Sequence, residues 1–367
     1  MSKTDSKIDK KLLWVALALF VFGLVMIASA GISYSQIRFD DPYFFFKRQL
    51  FGFGIGLVAL YFFQKVDYGF WKKISFPLFL GSLVLLVLVF IPGIGTKIYG
   101  ASRWIKIGPI NFQPSEALKF SLIIYLAAWL VGRKERIRDF FEGLAPFVAI
   151  ISLISFLLIK QPDIGTLGVV ILIAMSIFFV SGSKLSHIFL ILGGGVASLI
   201  ILIKLEAYRM NRLLVFLHPE LDPRGIGYQI NQALLAIGSG GIFGVGLGHS
   251  RQKFNYLPEP VGDSIFAIIG EELGLIGCLF LISLLTFVVI RGIKIAKNSP
   301  DEFSKLLAVG ITAWIFFQSF INIAAISGLI PLTGIPLPFI SYGGTSMVFL
   351  MAGIGILLNI SKSVRID

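Results

Sequence analysis

The sequence predicts an all-α polytopic membrane protein with about ten transmembrane helices. The composition is the first reason, because 56% of the 367 residues are hydrophobic and only 14% are charged. The mean hydropathy of +0.88 is the second, since a soluble domain needs far more charge to cover its surface. The third is a series of apolar segments, each long enough to cross a bilayer as a helix.

The predicted spans are distributed over the whole chain, which we expect to form a single integral membrane domain, 1–367. They lie at about 12–33, 46–64, 74–94, 114–132, 143–160, 164–182, 186–204, 263–290, 306–326 and 343–361. The basic start of the chain resembles a signal peptide. However, the apolar run after it is about 20 residues long and lacks a convincing cleavage site, which predicts a retained span.

The loop charges predict that both termini are cytoplasmic. An even number of spans puts the termini on one side, and the short loops on that side carry most of the basic residues. Residues 1–11 are then a cytoplasmic tail, 205–262 a large outer loop between the seventh and eighth spans, and 328–342 a proline-rich outer re-entry. The net charge of +12 therefore fits this topology and anionic lipid head groups better than nucleic acid.

The segment 255–272, NYLPEPVGDSIFAIIGEE, contains the strongest candidate for a functional residue. Its proline-containing loop leads to Asp263, and the chain then continues as an apolar helix. A carboxylate that enters a membrane is costly to desolvate unless it faces a polar cavity or a partner, so Asp263 is a functional-site hypothesis. The alternative is that Asp263 only caps the helix that follows.

Other charged residues lie at the outer starts of predicted spans. Glu116 and Lys119 are three residues apart on one face of a helix that begins at Pro114, and they could line a site or neutralise each other. Asp163 precedes the sixth span and could be another helix cap. Arg48 lies among aromatic residues before the second span, where ordinary interfacial anchoring is the alternative.

Two outer segments have compositions that predict irregular backbone. Prolines at 331, 336 and 338 forbid a continuous helix through the re-entry, so we expect non-helical backbone to line an enclosed cavity there. The glycine-rich part of the large loop has no strand before it and no Lys–Ser/Thr ending, which excludes a nucleotide P-loop. Its 230–237 portion could be an amphipathic surface helix, and its glycines would allow close backbone approach.

Taken together, these segments resemble the shape, elongation, division and sporulation family, in order along nearly the whole chain. The matching motifs are KRQL at 47–50, RWI at 103–105, FQPSE at 112–116, QPDIGT at 161–166, DPRGIGYQINQALLAIGSGG at 222–241, YLPE at 256–259 with Asp263, GEELG at 270–274 and PLPFISYGG at 336–344. FDDPYFFFKRQL and SRQKFNYLPE look more like the division and sporulation members than the elongation members. One departure is Ser264, where the family usually has Phe after the acid.

The resemblance implies a peptidoglycan glycosyltransferase that polymerises lipid II, an undecaprenyl-pyrophosphate-linked disaccharide-pentapeptide, into glycan strands. It implies work at the outer face of the bacterial cytoplasmic (inner) membrane, during division or cell-shape maintenance. The implied partners are a class B penicillin-binding protein transpeptidase and other division proteins. The rival functions are a lipid II flippase and a non-catalytic division scaffold. The outer placement of most candidate residues argues against a flippase, because only Glu271, Glu272, Gln318 and Asn322 fall deep.

Sugar transfer from a polyprenyl pyrophosphate needs a base for the acceptor hydroxyl and positive charge for the leaving group. Asp263 is the candidate catalytic residue. The candidate substrate-binding residues are Arg48, Glu116, Lys119, Asp163, Arg209, Arg212, Lys253, Glu259 and Ser341. Guanidinium groups are well shaped for phosphate. The residues establish no cofactor, although a carboxylate cluster could hold a divalent cation such as Mg²⁺ or Mn²⁺.

Small residues suggest where a partner helix could pack. Gly310 and Ala313 form a small-residue stripe in the ninth span, and Gly194 with Ser198 forms another in the seventh. The family resemblance implies a partner helix against the eighth and ninth spans. We therefore expect Gly310 to lie at that interface.

Overall fold

The computed structural model describes residues 8–98, 101–108, 110–218 and 225–364. Positions 1–7 of the predicted tail and 219–224 of the predicted outer loop, including the start of the DPRGIGY motif, lie outside these ranges. The helices are α1 (Lys10–Ala30), α2 (Ile32–Phe39), α3 (Phe44–Lys65), α4 (Tyr68–Lys73), α5 (Ser75–Leu88), α6 (Pro114–Val131), α7 (Ala145–Lys160), α8 (Ile164–Val180), α9 (Leu185–Leu205), α10 (Ala207–Leu217), α11 (Ile226–Ser239), α12 (Ile265–Lys297), α13 (Glu302–Ile326) and α14 (Gly344–Ser361).

Every predicted span coincides with one of these helices, which confirms the helical polytopic class. Within the described ranges, seven helices are long and apolar enough to cross a membrane: α1, α6, α7 with the turn before it, α9, α12, α13 and α14. The helices α5 and α8 are apolar but shorter. The second predicted span is the 22-residue helix α3. The exact number of ten spans and the cytoplasmic position of the termini stay predictions.

Successive helices alternate in direction, so the bundle has two ends. The Asp263 end holds the starts of α3, α6, α8, α12 and α14, and the termini end holds the starts of α1 and α13. Carboxylate caps at both ends satisfy N–H groups that the helices leave free. Asp163 accepts from the Thr166 amide at 3.3 Å at the Asp263 end, and Asp301 accepts from the Ser304 amide at 3.0 Å at the termini end.

A small antiparallel sheet at the Asp263 end was not predicted by the sequence analysis. It consists of β1 (Gly95–Ile98), β2 (Ala101–Ile107) and β3 (Ile110–Phe112), in that order. Arg103 on β2 donates to the carbonyl oxygens of Gln161, at 3.1 Å, and of Pro162, so the sheet is fixed to the turn between α7 and α8. Strands this short show too little alternation to be recognised in a loop sequence.

The closest helix packing joins α3 to α14, through glycines on both helices. A Cβ added at Gly52 would lie 3.1 Å from the Gly344 Cα, and one added at Gly355 would lie 2.6 Å from the Leu60 carbonyl oxygen. Small residues at membrane helix contacts let backbones approach, and this pair uses them on both sides.

Gly310 lies inside the bundle. A Cβ at this position would be 2.6 Å from Ile123 Cγ2 on α6 and 2.8 Å from Ile177 Cδ1 on α8. The prediction that Gly310 contacts a partner helix is therefore wrong, because its close approach is to two helices of the same chain. The lipid-facing aromatic residues of α13 are Phe316 and Phe320, which are 44% and 57% exposed.

The two ends of the described chain meet at the termini end. The amide of Asp9 donates to the Ser361 hydroxyl at 3.0 Å, and its carboxylate binds Arg291 at 2.7 Å, with both charged side chains buried. This contact connects the start of α1 to the end of α14 and to the last turns of α12.

The helix α12 is broken near its start. Gly274 has φ 66° and ψ −165°, and the glycine-rich segment 240–246 packs its backbone against the break. The amides of Leu275 and Ile276 donate to the carbonyls of Gly241 and Ile242 at 2.9 and 3.2 Å. In return, the amides of residues 245 and 246 donate to the carbonyls of residues 271 and 272 at 2.9 and 3.0 Å. The close backbone approach expected of these glycines is thus present.

We predict that Gly274→Ala destabilises the protein. The backbone of Gly274 occupies a region that is almost restricted to glycine, and a Cβ would lie 2.4 Å from the Gly244 nitrogen. Strain alone should cost roughly 1–3 kcal/mol, seen as a lower thermal midpoint in detergent. The control is Gly81→Ala in α5, where a Cβ meets nothing within 4 Å. Equal midpoints for the two variants would show that the break is not a fixed feature.

Candidate functional site

Asp263 lies in the turn before α12, against the re-entry that connects α13 to α14. Together they form a small pocket lined by Asp263, Asn322, Ala325, Ile326, Leu332, Thr333, Gly334 and Ile335. The side chain of Asp263 is partly buried, and its Oδ1 atom has no hydrogen-bond partner among the described residues. The residue that caps α12 is Ser264 and not Asp263, so the capping alternative does not describe this position.

The surroundings of Asp263 shift the pKa of its carboxyl group towards neutral pH. Burial, and then repulsion from the Glu259 carboxylate, raise the pKa of Asp263 to about 6, while a hydrogen bond from Gln229 and the charge of Arg212 act in the opposite direction. A carboxyl group with such a pKa is a stronger base than an ordinary one and is still mostly deprotonated at pH 7. Perturbed values of this kind are typical of functional sites.

Amide side chains of α13 hold the backbone around the pocket. The Asn322 Nδ2 atom donates to the carbonyl oxygens of Asp263, at 2.9 Å, and Ile335, at 2.7 Å. One turn earlier, the Gln318 Nε2 atom donates to the Pro336 carbonyl at 2.9 Å. From the sequence, both amides were identified only as deep polar residues, and their position on one face of α13 was the available signal.

Ser341 connects the two loops directly, which is a supporting role. Its hydroxyl donates to the Gly262 carbonyl at 2.7 Å and accepts from the Leu337 amide at 2.8 Å. Gln49, which the sequence analysis missed, is fully buried and holds the same segment by bonds to the Ser341 carbonyl and the Gly343 amide. The predicted contact of Ser341 with substrate stays a prediction, since its hydroxyl is already used twice.

Glu116 and Lys119 are connected to this backbone through Gln318. Their charged atoms are 2.8 Å apart, and each side chain is 2% exposed. Lys119 also donates to the Gln318 Oε1 atom at 2.7 Å, and the Trp314 indole donates to the same oxygen at 2.7 Å. The pair is therefore more than a self-neutralising contact, because it fixes the amide that holds the re-entry.

The three predicted arginines lie at different distances from the pocket wall. Arg212 on α10 donates to the Leu332 carbonyl at 3.0 Å, and its charge acts on Asp263. Arg48 lies over the Phe44 ring at 4.4 Å, and its charge acts on the Tyr342 side chain, at the other end of the re-entry. Arg209 donates instead to the Leu202 carbonyl at 2.9 Å, at the junction of α9 and α10.

Two more predicted carboxylates differ in their relation to the site. Glu259 has a left-handed backbone with φ 49°, accepts from the Tyr34 hydroxyl at 3.0 Å, and acts electrostatically on Asp263. Asp163 is the buried cap of α8, and its nearest cation is Arg103 at 3.9 Å. The structure thus brings Glu259 to Asp263, whereas Asp163 faces the turn that the small sheet holds.

Lys253 is placed in a separate buried cluster. Its Nζ atom binds Glu272 at 2.9 Å and donates to the Gly248 carbonyl at 2.6 Å, and the side chain is 2% exposed. Glu272 accepts from the Ser29 hydroxyl on α1 at 2.7 Å. These contacts hold the loop that leads to Asp263 in place. Lys253 is therefore a buried structural contact and is not positioned to bind a substrate phosphate, the role predicted from the sequence.

Glu271 makes further buried contacts with the same loop, and these contacts were not predicted from the sequence. It accepts from the Ser250 hydroxyl and from the amides of Arg251 and Gln252, at 2.8 and 3.3 Å. The adjacent acids of the GEELG motif thus both bind one loop, residues 250–253. Pairing between residues about 20 positions apart, through an irregular segment, has no signature in the sequence.

The charges of two carboxylates, Asp263 and Glu259, interact at the site. Among the residues that the structure describes, no group of three or more His, Cys, Asp or Glu side chains could hold a metal ion. Mg²⁺ is commonly held by only one or two carboxylates together with substrate phosphates. Asp263 and Glu259, with the Oδ1 atom of Asp263 unpartnered, fit that smaller requirement.

Comparison with known proteins finds similar proteins over nearly the whole length of the chain. The family model for FtsW, RodA and SpoVE, described as Cell cycle protein, matches residues 10–366. Stage V sporulation protein E of Bacillus subtilis is 42% identical over 366 residues, covering 100% of both chains. The probable peptidoglycan glycosyltransferase FtsW of Geobacter sp. strain M18 is 41% identical and covers 97% of both chains.

Two solved structures share the fold. One belongs to a study of the structural coordination of polymerization and crosslinking by a peptidoglycan synthase complex, with TM-score 0.79, 28% identity and coverage of 97% of this chain and 98% of the other. The other is the rod shape determining protein RodA of Thermus thermophilus, with TM-score 0.71, 27% identity and 98% coverage of each chain. With the family match over nearly its full length, the chain belongs to the FtsW, RodA and SpoVE family of cell cycle proteins.

Proposed function

We propose that this chain is a peptidoglycan glycosyltransferase that polymerises lipid II into glycan strands. The observation that carries the proposal is Asp263, a partly buried residue whose carboxyl group has a raised pKa and an unpartnered Oδ1 atom, in a pocket at one end of a membrane bundle. The names of the relatives support the same activity. The proposal includes a multi-pass protein of the bacterial inner membrane, organised as one domain with the Asp263 end outward.

In the proposed reaction, Asp263 accepts the proton of the acceptor sugar hydroxyl. The hydroxyl oxygen forms the new bond to the donor anomeric carbon, and the bond from that carbon to the pyrophosphate oxygen breaks. The electron pair of the broken bond leaves with the pyrophosphate, whose growing charge needs a cation nearby. Arg212 donates to the pocket wall and its charge acts on Asp263, and Arg48 lies at the opposite end of the same re-entry.

Asp263 and Glu259 would hold a divalent cation if one binds with the substrate. Such an ion would neutralise pyrophosphate charge. The residues of this chain have their own parts in either case. Glu259 raises the basicity of Asp263, and the amides of Gln318 and Asn322 keep the pocket wall in position.

The deep charges support an enzyme over a lipid II flippase. Three of these charged residues are almost fully buried: Glu271, Glu272 and Lys253. Lys253 binds Glu272, and Glu271 accepts from the Arg251 amide of the same loop. Such fixed contacts suit a structural support better than a polar path for a lipid head group. A non-catalytic scaffold would need no base with a raised pKa. The deciding experiment is the purified chain with a class B transpeptidase and lipid II, assayed for glycan polymer.

We predict that Asp263→Asn abolishes polymerisation and leaves the protein folded. The amide cannot accept the proton, so the rate should fall by roughly a hundredfold or more. The thermal midpoint should not fall, because the variant removes a charge that burial disfavours. The matched control is Asp41→Asn, an exposed carboxylate at the same end that pairs with Lys47.

The pH profile provides a second test of the same residue. A base is active only when deprotonated, so the wild-type rate should fall as the pH drops below about 6, by roughly tenfold for each pH unit. Above that pH the rate should level off, because Asp263 is then deprotonated. Full polymerisation by Asp263→Asn, or a wild-type rate that does not decline between pH 6 and pH 5, would contradict the proposal.

We predict that substitutions in the Glu116–Lys119 pair change stability and activity independently. Lys119→Met leaves a buried carboxylate without a counter-charge, which should cost about 3–5 kcal/mol and lower the thermal midpoint. Adding Glu116→Gln should recover most of this loss but not polymerisation, because Gln318 still lacks the Lys119 donor. The control, Lys47→Met, breaks an exposed pair and should cost at most about 1 kcal/mol. A stable and active double variant would show that Glu116 and Lys119 only neutralise each other.

We also propose that the single span of a class B transpeptidase packs against α13 at Phe316 and Phe320. These side chains are one helical turn apart, exposed, and stacked with ring centroids 6.1 Å apart. Phe316→Ala with Phe320→Ala should lower co-purification of the partner without changing expression. The control is Phe189→Ala with Val196→Ala on α9, where both side chains are also exposed. If only the α9 variant loses the partner, the interface lies there instead.

A further inference from the structure

A cavity at the termini end of the bundle has no part in the proposed reaction. It has a volume of about 730 Å³ and lies between the last turn of α6, the 3₁₀ turn Lys134–Arg138, the last turn of α8 and the first turn of α13. Its lining is Leu130, Val131, Lys134, Ile137, Arg138, Val180, Ser181, Gly182, Glu302, Lys305 and Leu306. The cavity is therefore on the opposite side of the membrane from Asp263.

The charges of this cavity favour an anion. Lys134, Arg138 and Lys305 supply three cations, whereas Glu302 is the one carboxylate in the lining. Glu302 is already paired with Lys305, at 3.3 Å. Arg138 donates from its Nε atom to the Gly182 carbonyl, at 3.2 Å, and this bond does not use the N–H groups of its two terminal nitrogens. The lining thus offers more donors than its own carboxylate can use.

Apart from Ser181 and Gly182, the remaining lining is apolar, and an exposed phenylalanine adjoins it. Leu130, Val131, Val180 and Leu306 come from the ends of three membrane helices. The residue before Val180 is Phe179, which is 54% exposed. A ligand that fills this cavity must therefore combine a negatively charged group with hydrocarbon.

The depth of the cavity matches the head-group region of a bilayer. Trp129 lies one residue before the lining residue Leu130, and the Arg133 guanidinium lies over its ring at 4.6 Å. Tryptophan and arginine at the end of an apolar helix are typical of the membrane interface. Phosphate groups of lipids lie at this level.

From these observations we infer that the cavity binds the head group of an anionic phospholipid from the leaflet at the termini end. The phosphate contacts Lys134, Arg138 and Lys305, and the first carbons of the acyl chains lie against Val131 and Val180, the partly exposed apolar residues of the lining. Basic pockets between membrane helices recognise acidic head groups in this manner. A free phosphate ion would leave the apolar half of the lining uncovered, so the lipid is the better match.

The experiment measures lipid retained by the purified full-length chain. The protein in detergent is titrated with phosphatidylglycerol or with phosphatidylcholine, and bound lipid is counted by native mass spectrometry. The test variant is Lys134→Gln with Arg138→Gln and Lys305→Gln. The control is Lys72→Gln with Lys73→Gln, two exposed lysines on α4 at the same end.

The expected result is preferential binding of phosphatidylglycerol by the wild type and the control, reduced roughly tenfold or more in the test variant. Thermal midpoints without added lipid should agree for all three proteins. Should the triple variant unfold, Lys134→Gln alone, an exposed side chain, is measured in its place. Equal binding of the two lipids, or undiminished phosphatidylglycerol binding by the folded test variant, would overturn the inference. Displacement of the lipid by excess inorganic phosphate would identify a free-anion site instead and also overturn it.

Discussion

Irregular backbone inside a membrane bundle must find its hydrogen bonds within the protein, and this requirement governs the whole Asp263 end. Two non-helical segments, 240–262 and 328–343, enter the bundle where lipid offers no partner for an N–H or C=O group. The first segment pairs with the break in α12, and the second is held by Gln318, Asn322 and Gln49. The pocket beside Asp263 exists because these bonds keep both segments away from helical geometry.

The sequence was sufficient for the features that depend on composition and local chemistry. Hydropathy located the ten helices that coincide with the predicted spans, and the cost of desolvating a carboxylate singled out Asp263. Contacts through space were harder. Spacing showed that Gly310 permits close approach but could not show that the neighbours are Ile123 and Ile177 of the same chain. Lys253 has the charge expected of a phosphate ligand, and only the fold shows that Glu272 binds it.

Buried ion pairs occur here where position matters more than stability. The pairs Glu116–Lys119 and Lys253–Glu272 are each almost inaccessible to solvent. Such pairs often gain less from attraction than desolvation costs, so stability is a poor reason for keeping them. What they share is geometry, because each holds a polar group that in turn supports one of the two segments around Asp263. The two pairs thus hold the surroundings of Asp263 in position from different depths in the bundle.

The bond between Asp9 and the end of the chain sets an order for assembly during synthesis. Asp9 precedes its partner Arg291 by 282 positions and Ser361 by 352. At about 5–20 residues per second, a ribosome needs on the order of tens of seconds to cover that distance. The first helix therefore waits in the membrane with an unpaired carboxylate at its start until α12 and α14 arrive. Closure of the bundle is a late event in its biogenesis: a chain interrupted before α12 would lack both contacts of Asp9, and one interrupted before α14 would lack the Ser361 bond.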